Sequence, residues 1–388
     1  MGKLKEQIHF TYKKQVDTKP KARKHIILID GTWNDESGLN LDGIITNIAK
    51  LNKIFVNDEV NQIVRYHRGI GNDNDNDFWG KITGGVGARG FMKIVDKAYA
   101  RFIQDWQNGD EVYLFGFSRG AAMARLLAKK INDNGIPESI NVIIAPKTNQ
   151  ETKVVEQQMV SMSAIPREPQ HRIKVEFLGV WDTVSSFGFY PVLRRMFLGE
   201  QRDIFTGRTI AGNIKKAVHL VAIDETRNPF TPSLMNHEPR VHEVWFPGVH
   251  ADLGGGYKED GIARVSLHYM LKKLFEINDA DGLAAFLVDE EMRGKYTSAE
   301  IDHWNFHFHG LGFGKNLRHI NVNIEGKPSD PAVYKPMIHR SYEWICKSSE
   351  VYSVVEVKEN RKKVTKEAIF QYKPYNFKRL KENFIIVD

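Results

Sequence analysis

At 388 residues, 41% apolar and 27% charged, the chain is too large and too apolar for a disordered or fibrous protein, and it suits one large α/β domain or two smaller ones. A single cysteine, Cys346, excludes an internal disulfide framework and a thiolate-rich zinc site. The net charge of +7 attracts anionic lipid headgroups or nucleic acid without choosing between them, and the basic runs at residues 19–24 and 361–363 read as solvated surface.

Residues 1–23 form a polar, lysine-rich tail with no apolar stretch of the kind a secretory signal needs. No run approaches the ~20 apolar residues required to cross a bilayer, so a product soluble when made is expected. Residues 25–29 and 62–66 are β-branched runs closed by turn residues, which predicts buried strands. Between them Ile44, Ile45, Ile48, Ala49 and Leu51 keep helical spacing. Phe91, Ile94, Val95, Ala98, Phe102 and Trp106 line one face of a longer helix that leads to a strand at 111–115. Such βα alternation predicts a mostly parallel central sheet flanked by helices.

Residues 132–172 are polar and carry Pro137, Pro146, Pro166 and Pro169, so they are expected to be an insertion or flap outside the core. Strand character returns at 175–181 and at 241–246. Ile214, Ala217, Val218, Val221 and Ala222 follow the i, i+3, i+4, i+7, i+8 rule and predict a buried helix. The expected organisation is a tail at 1–23, a catalytic domain at 24–280, and a C-terminal extension at 281–388 packed on that domain.

The strand residues Val112, Tyr113, Leu114 and Phe115 run into Gly116-Phe117-Ser118-Arg119-Gly120, and the alanine-rich stretch that follows is a strong helix former. A strand, a tight turn and a helix around a Gly-x-Ser-x-Gly sequence make a nucleophile elbow, where small residues two places either side of the serine let strand and helix approach. A serine hydroxyl needs a histidine base and a carboxylate to orient that base. Asp182 follows the apolar strand Phe177-Leu178-Gly179-Val180-Trp181, and His250 follows Val244-Trp245-Phe246-Pro247-Gly248-Val249, so both are expected at strand ends and in the order Ser, Asp, His. Asp252 competes for the carboxylate role and His339 for the base. The expected oxyanion donors are the N–H of Arg119 and a group from the Gly31–Thr32 segment after the first strand; the competing reading of that segment is a capped turn. Phe117, Phe187 and Phe189 are the expected substrate contacts, the latter two in an arginine-containing apolar stretch at 187–198 that suits a lipid-touching flap or a core segment.

Three other patterns carry less. Residues 85–90 spell a dinucleotide fingerprint but follow a polar tract rather than a strand. The run 72–77 alternates Asn and Asp like a calcium loop, yet Phe78 stands where glycine is demanded, so a surface turn is expected. His303, His307 and His309 alternate with Trp304, Phe306 and Phe308 as on a half-buried strand, which favours structural histidines over metal ligands. No metal or cofactor is called for.

Taken in order, DGTWN from Asp30, GFSRGA around Ser118, GVWDTV around Asp182, DETRNPF from Asp224 and WFPGVHADLGGGY around His250 resemble the blocks of an α/β-hydrolase domain family that includes the phospholipase effectors of bacterial type VI secretion. The resemblance spans about residues 24–271 and implies an α/β-hydrolase fold with Ser118, Asp182 and His250 as the triad. It implies structural roles for Asp224 and Arg227 towards the end of a buried helix, and residues 338–341 resemble a further C-terminal family element. An acyl-ester hydrolase acting on a phospholipid membrane, anionic by the charge argument, is the implied activity. A secretion-apparatus or immunity protein is the implied partner, with delivery to another cell; nucleic acid is not expected. The competing readings are an intracellular esterase for small soluble esters and a basic membrane- or nucleic-acid-binding protein on a degenerate hydrolase fold.

Overall fold

The computed structural model describes residues 8–14, 22–31, 45–69, 86–148, 155–167, 172–184, 209–298, 301, 304–308, 317–359 and 362–388. In chain order the strands are β1 (Ile8–Lys13), β2 (Lys24–Ile29), β3 (Gln62–His67), β4 (Glu111–Phe117), β5 (Ser139–Thr148), β6 (Val155–Ile165), β7 (Val175–Trp181), β8 (Ile214–Ala222), β9 (Val241–Phe246), β10 (Trp304–Phe308), β11 (Asn323–Ile324), β12 (Lys327–Pro328), β13 (Met337–His339), β14 (Val351–Glu359), β15 (Lys362–Ile369) and β16 (Ile385–Val387). Eight of them form one sheet in the order β16-β13-β9-β8-β7-β4-β2-β3. Each neighbouring pair in that sheet is parallel. This is the α/β-hydrolase-like architecture expected from the strand and helix pattern.

Alternation along each strand builds two cores, because successive side chains point to opposite faces. Ile27, Ile29, Val112, Leu114, Leu178 and Val180 face the helices Val86–Asp105 and Arg119–Asn134. Ile26, Leu28, Tyr113, Phe115, Phe177 and Trp181 face the helices Asn47–Ile54 and Gly261–Ala280. With both faces covered, the strands read as nearly continuous apolar runs, as buried parallel strands do.

That property overturns the helix expected at Ile214, Ala217, Val218, Val221 and Ala222. These residues form β8, bonded to β7 on one edge and to β9 on the other. A fully buried strand and a buried helical face place apolar residues at many of the same positions, and pairing on both edges decides in favour of the strand. The interval 132–172 also differs from the expected coreless insertion. The helix Arg119–Asn134 runs into it, β5 and β6 pair antiparallel, and β1 from the N-terminal segment adds to β5. Ile140 and Val142 of β5 are buried in the first core. Beyond residue 280, β13 and β16 extend the main sheet past β9, while β10, β14 and β15 form a separate small sheet. No helix among the described residues is long and apolar enough to cross a membrane.

The order of strands reverses at β2: the chain passes to β3 on one side and then to β4 on the other. The carboxyl ends of β2 and β4 therefore border a topological switch point, where open α/β sheets place their ligand sites. Close approach there depends on Gly116 and Gly120. A Cβ on Gly116 would lie 2.5 Å from the Gly120 carbonyl oxygen, and one on Gly120 would lie 2.2 Å from the Ile29 carbonyl oxygen. Both obstacles are backbone and cannot swing aside. Gly120→Ala should therefore cost about 3 kcal/mol of stability in a denaturant titration; a loss under about 1 kcal/mol would mean that helix and strand can part at little cost.

Candidate active site

Strand β4 ends at Phe117 and the next helix starts at Arg119, so Ser118 makes the whole turn by itself. It does so at φ 59° and ψ −124°, a conformation an L-residue occupies only when its surroundings impose it. The surroundings here are hydrogen bonds: Ser118 N–H donates to the Trp181 carbonyl (3.0 Å), and the Ser118 carbonyl accepts from Val184 N–H (3.3 Å). The helix beginning at Arg119 has N–H groups without an intrahelical acceptor at its first turn, next to the serine.

Phe117 pairs with Trp181 across β4 and β7, which sets Ser118 and Asp182 at adjacent strand ends. Asp182 is fully buried, and both of its oxygens are used. Oδ1 accepts from Ala222 N–H (3.0 Å) and an Arg318 Nη1–H (2.6 Å); Oδ2 accepts from an Arg318 Nη2–H (2.9 Å) and pairs with His250 Nδ1 (2.5 Å). Burial alone would raise this carboxyl, but the Arg318 guanidinium and His250 override it and hold it far below the usual carboxylate range.

His250 opens the short helix His250–Gly254 after β9. Its backbone N–H points at Glu225 Oε2 (3.3 Å), and its ring lies between those of Phe117 (4.7 Å) and Phe230 (4.8 Å). Burial lowers its pKa, and the Asp182 carboxylate works against that fall. Glu225 is itself tied to Arg227 by three hydrogen bonds, and the Arg227 guanidinium lies 3.8 Å over the Phe230 ring. Burial pushes the Glu225 carboxyl up, yet Arg227 holds it down at about 2.

The other expected residues fare differently. Asp252, the competing carboxylate, is engaged elsewhere: it accepts from Val249 N–H (3.0 Å) and pairs with His307 Nδ1 (2.6 Å). His307, expected as a structural histidine rather than a metal ligand, is thereby engaged, and it stacks on Tyr257 at 3.6 Å. His339 is a core residue stacked on Phe246 (4.3 Å) and bonded to the Ser341 hydroxyl, and burial lowers it to about 3. Gly31 N–H is turned onto its neighbour's carboxylate, Asp30 Oδ1, at 2.6 Å, so it does not present a free oxyanion donor. Phe117 is a buried wall rather than an open contact, with its ring where a Cβ on Gly254 would sit. Thr32, Phe187, Phe189, the run 72–77, His303 and His309 lie outside the described residues. Among the described residues no cluster of three or more His, Cys, Asp and Glu could hold a metal.

Three partners escape a reading of the sequence. Glu225 and Phe230 sit in the DETRNPF block beside Asp224 and Arg227, the two residues for which the resemblance implies structural roles. Arg318 stands 136 positions from the carboxylate it grips, in a stretch without motif or periodicity.

A parallel α/β sheet with a strained serine at one strand end and an aspartate–histidine pair at the next ones defines an α/β-hydrolase-like protein. Residues 23–273 match the family described as "T6SS, Phospholipase effector Tle1-like, catalytic domain", and the chain belongs to that family. A curated relative, the uncharacterized protein YEL023C of Saccharomyces cerevisiae, is 30% identical over 225 residues, which cover 52% of this chain and 31% of that protein. Among solved structures, an uncharacterized protein from Pseudomonas aeruginosa aligns with 72% of this chain and 50% of its own at 18% identity and a TM-score of 0.43. The Tle1 effector bound to the VgrG spike of the type 6 secretion system aligns with 66% of this chain and 58% of its own at 21% identity and a TM-score of 0.36. The chain thus spans about a third of the curated relative and 50% and 58% of these two solved chains.

Asp224, expected near the end of a helix, follows strand β8 instead and braces the loop before His250. Its Oδ2 accepts from Gly248 N–H and from the Tyr372 hydroxyl, both at 2.7 Å. Burial raises this carboxyl from 3.8 to about 7. A pKa higher in the folded than in the unfolded state gives stability that is complete below pH 3.8 and lost as pH rises through about 7. Asp224→Asn should remove that component, so the fall in unfolding free energy between mildly acidic and mildly alkaline buffer should be smaller than in the parent. Equal pH dependence in parent and variant would mean that Asp224 is ionised throughout.

Proposed function

We propose that the chain hydrolyses acyl esters of glycerophospholipids through Ser118, His250 and Asp182. The observation that carries this reading is the 2.5 Å contact between His250 Nδ1 and Asp182 Oδ2, formed at strand ends beside the strained Ser118 turn. With Nδ1–H held by the carboxylate, Nε2 is the imidazole nitrogen left to take a proton. Ser118 Oγ then attacks the ester carbonyl, and its proton passes to His250 Nε2. The tetrahedral oxyanion is stabilised by the Arg119 N–H at the helix start, and the Thr32 segment is the proposed source of a second donor. Collapse expels the alcohol, which takes the proton back from His250, and water then repeats the cycle on the acyl-enzyme.

Membership in a phospholipase effector family supports a phospholipid substrate, and the net charge of +7 supports an anionic surface. Delivery by a secretion apparatus is proposed on the same family membership.

Three measurements test the reading. A fluorophosphonate should label Ser118 covalently, as mass spectrometry would report, and Ser118→Ala should release fatty acid from phospholipid vesicles at least ~10³-fold more slowly while melting like the parent. An unlabelled Ser118 or an undiminished rate would remove it from the chemistry. Because His250 must be neutral to act and burial lowers its pKa, the acid limb of kcat/KM should fall below the usual histidine value of 6.5, with activity lost as pH drops through it. A limb well above that value would assign the base elsewhere.

A further inference from the structure

The family match ends at residue 273, yet the only cation bonded to the Asp182 carboxylate among the described residues comes from position 318. Arg318 is buried, and four hydrogen bonds fix its guanidinium. Two go to the two oxygens of Asp182, one to the Ala222 carbonyl (2.7 Å) and one to the Phe230 carbonyl (2.5 Å). The Arg318 backbone carbonyl in turn accepts from Asn376 Nδ2 (3.4 Å), whose amide also donates to the Ile223 carbonyl (3.0 Å). The fork therefore touches the segments after β7 and β8 and the residue beside the His250 ring. A bidentate grip of this kind fixes the plane of a carboxylate as well as its charge.

We propose that Arg318 is a positioning residue for hydrolysis, holding the Asp182 carboxylate charged and aimed at His250, a proposal that rests on the triad reading given above. An aspartate bonded to a histidine alone could rotate about its terminal torsion or take up a proton in this dry site. Arg318 closes both escapes, since each oxygen then has two donors and neither has room for a third. The charged groups facing the His250 imidazole are Asp182 after β7, Glu225 after β8 and Arg318 from the C-terminal part; Phe117 and Phe230 supply apolar walls. Of these groups, Arg318 alone favours the neutral imidazole.

The test uses the full chain with Arg318→Ala and Arg318→Lys, each checked by thermal melting. Hydrolysis of a short-chain nitrophenyl ester and fluorophosphonate labelling of Ser118 are followed across the acid and alkaline limbs. Arg318→Ala should lower kcat roughly ten- to a hundredfold, the worth of the charge-assisted hydrogen bonds removed, with KM for the soluble ester little changed. Its acid limb should move to higher pH, because the imidazolium is no longer opposed by the cation, and free guanidinium should restore part of the rate. Arg318→Lys, which keeps the charge and loses the fork, should fall between parent and alanine variant in both rate and limb. A folded variant with the parent's rate and limb would overturn the proposal, as would unfolding of both variants, which would make the arginine a structural ion-pair member only. Should the parent's Ser118 resist labelling, the triad reading itself fails, whereas a labelled parent with indifferent Arg318 variants sinks the positioning role alone.

Discussion

One buried charge governs this site. Asp182 has no exposed surface, and moving a carboxylate out of water costs several kcal/mol even after the protein relaxes around it. An ionised group can stay there only if it is paired and every lone pair has a donor, and Asp182 meets both conditions through Arg318, His250 and Ala222 N–H. The same conditions fix its geometry. A carboxylate with four donors in place has one orientation, so the imidazole bonded to it has one as well.

The sheet makes this arrangement without any long reach. Strands β4, β7, β8 and β9 are consecutive neighbours, and each delivers one part at its carboxyl end: Ser118, Asp182, Glu225 with Phe230, and His250. Parallel strands bring all four ends to the same edge, where an antiparallel sheet would send alternate ends to opposite edges. Backbone bonds between these ends add stiffness: Ser118 N–H to the Trp181 carbonyl, Asp182 N–H to the Leu220 carbonyl, and Ile223 N–H to the Phe246 carbonyl. Strain at Ser118 persists because these bonds over-determine it.

Much of this was legible in the residues themselves. Ser118, Asp182 and His250 each follow a run of apolar residues long enough to be a buried strand, and a polar residue directly after such a run lands at the sheet's edge. The signal failed where two structures share one apolar pattern, as at Ile214, Ala217, Val218, Val221 and Ala222, since edge pairing is a tertiary fact. It failed also for β5, whose buried Ile140 and Val142 are masked by polar and proline neighbours. Arg318 had no signal at all, because an arginine's partner is chosen by the fold and not by its place along the chain. Gly31 departs from the expected oxyanion role for a local reason: the preceding aspartate takes up its N–H.

The contacts made by residues beyond 273 give the C-terminal part its meaning. Arg318 reaches Asp182, Tyr372 reaches Asp224, Asn376 reaches the Ile223 carbonyl, and His307 reaches Asp252 two places after His250. All four land on the segments that follow β7, β8 and β9, and none lands on the serine turn. The turn needs no such help, because close glycine packing between strand and helix already holds it. The carboxylate follows β7 on an irregular segment and the histidine opens a short helix after β9, and segments that carry a buried charge must be braced from outside. The division of labour between the matched region and the remainder therefore follows from the local backbone: strand and helix build the seat of Ser118, and the later residues immobilise the segments that carry Asp182 and His250.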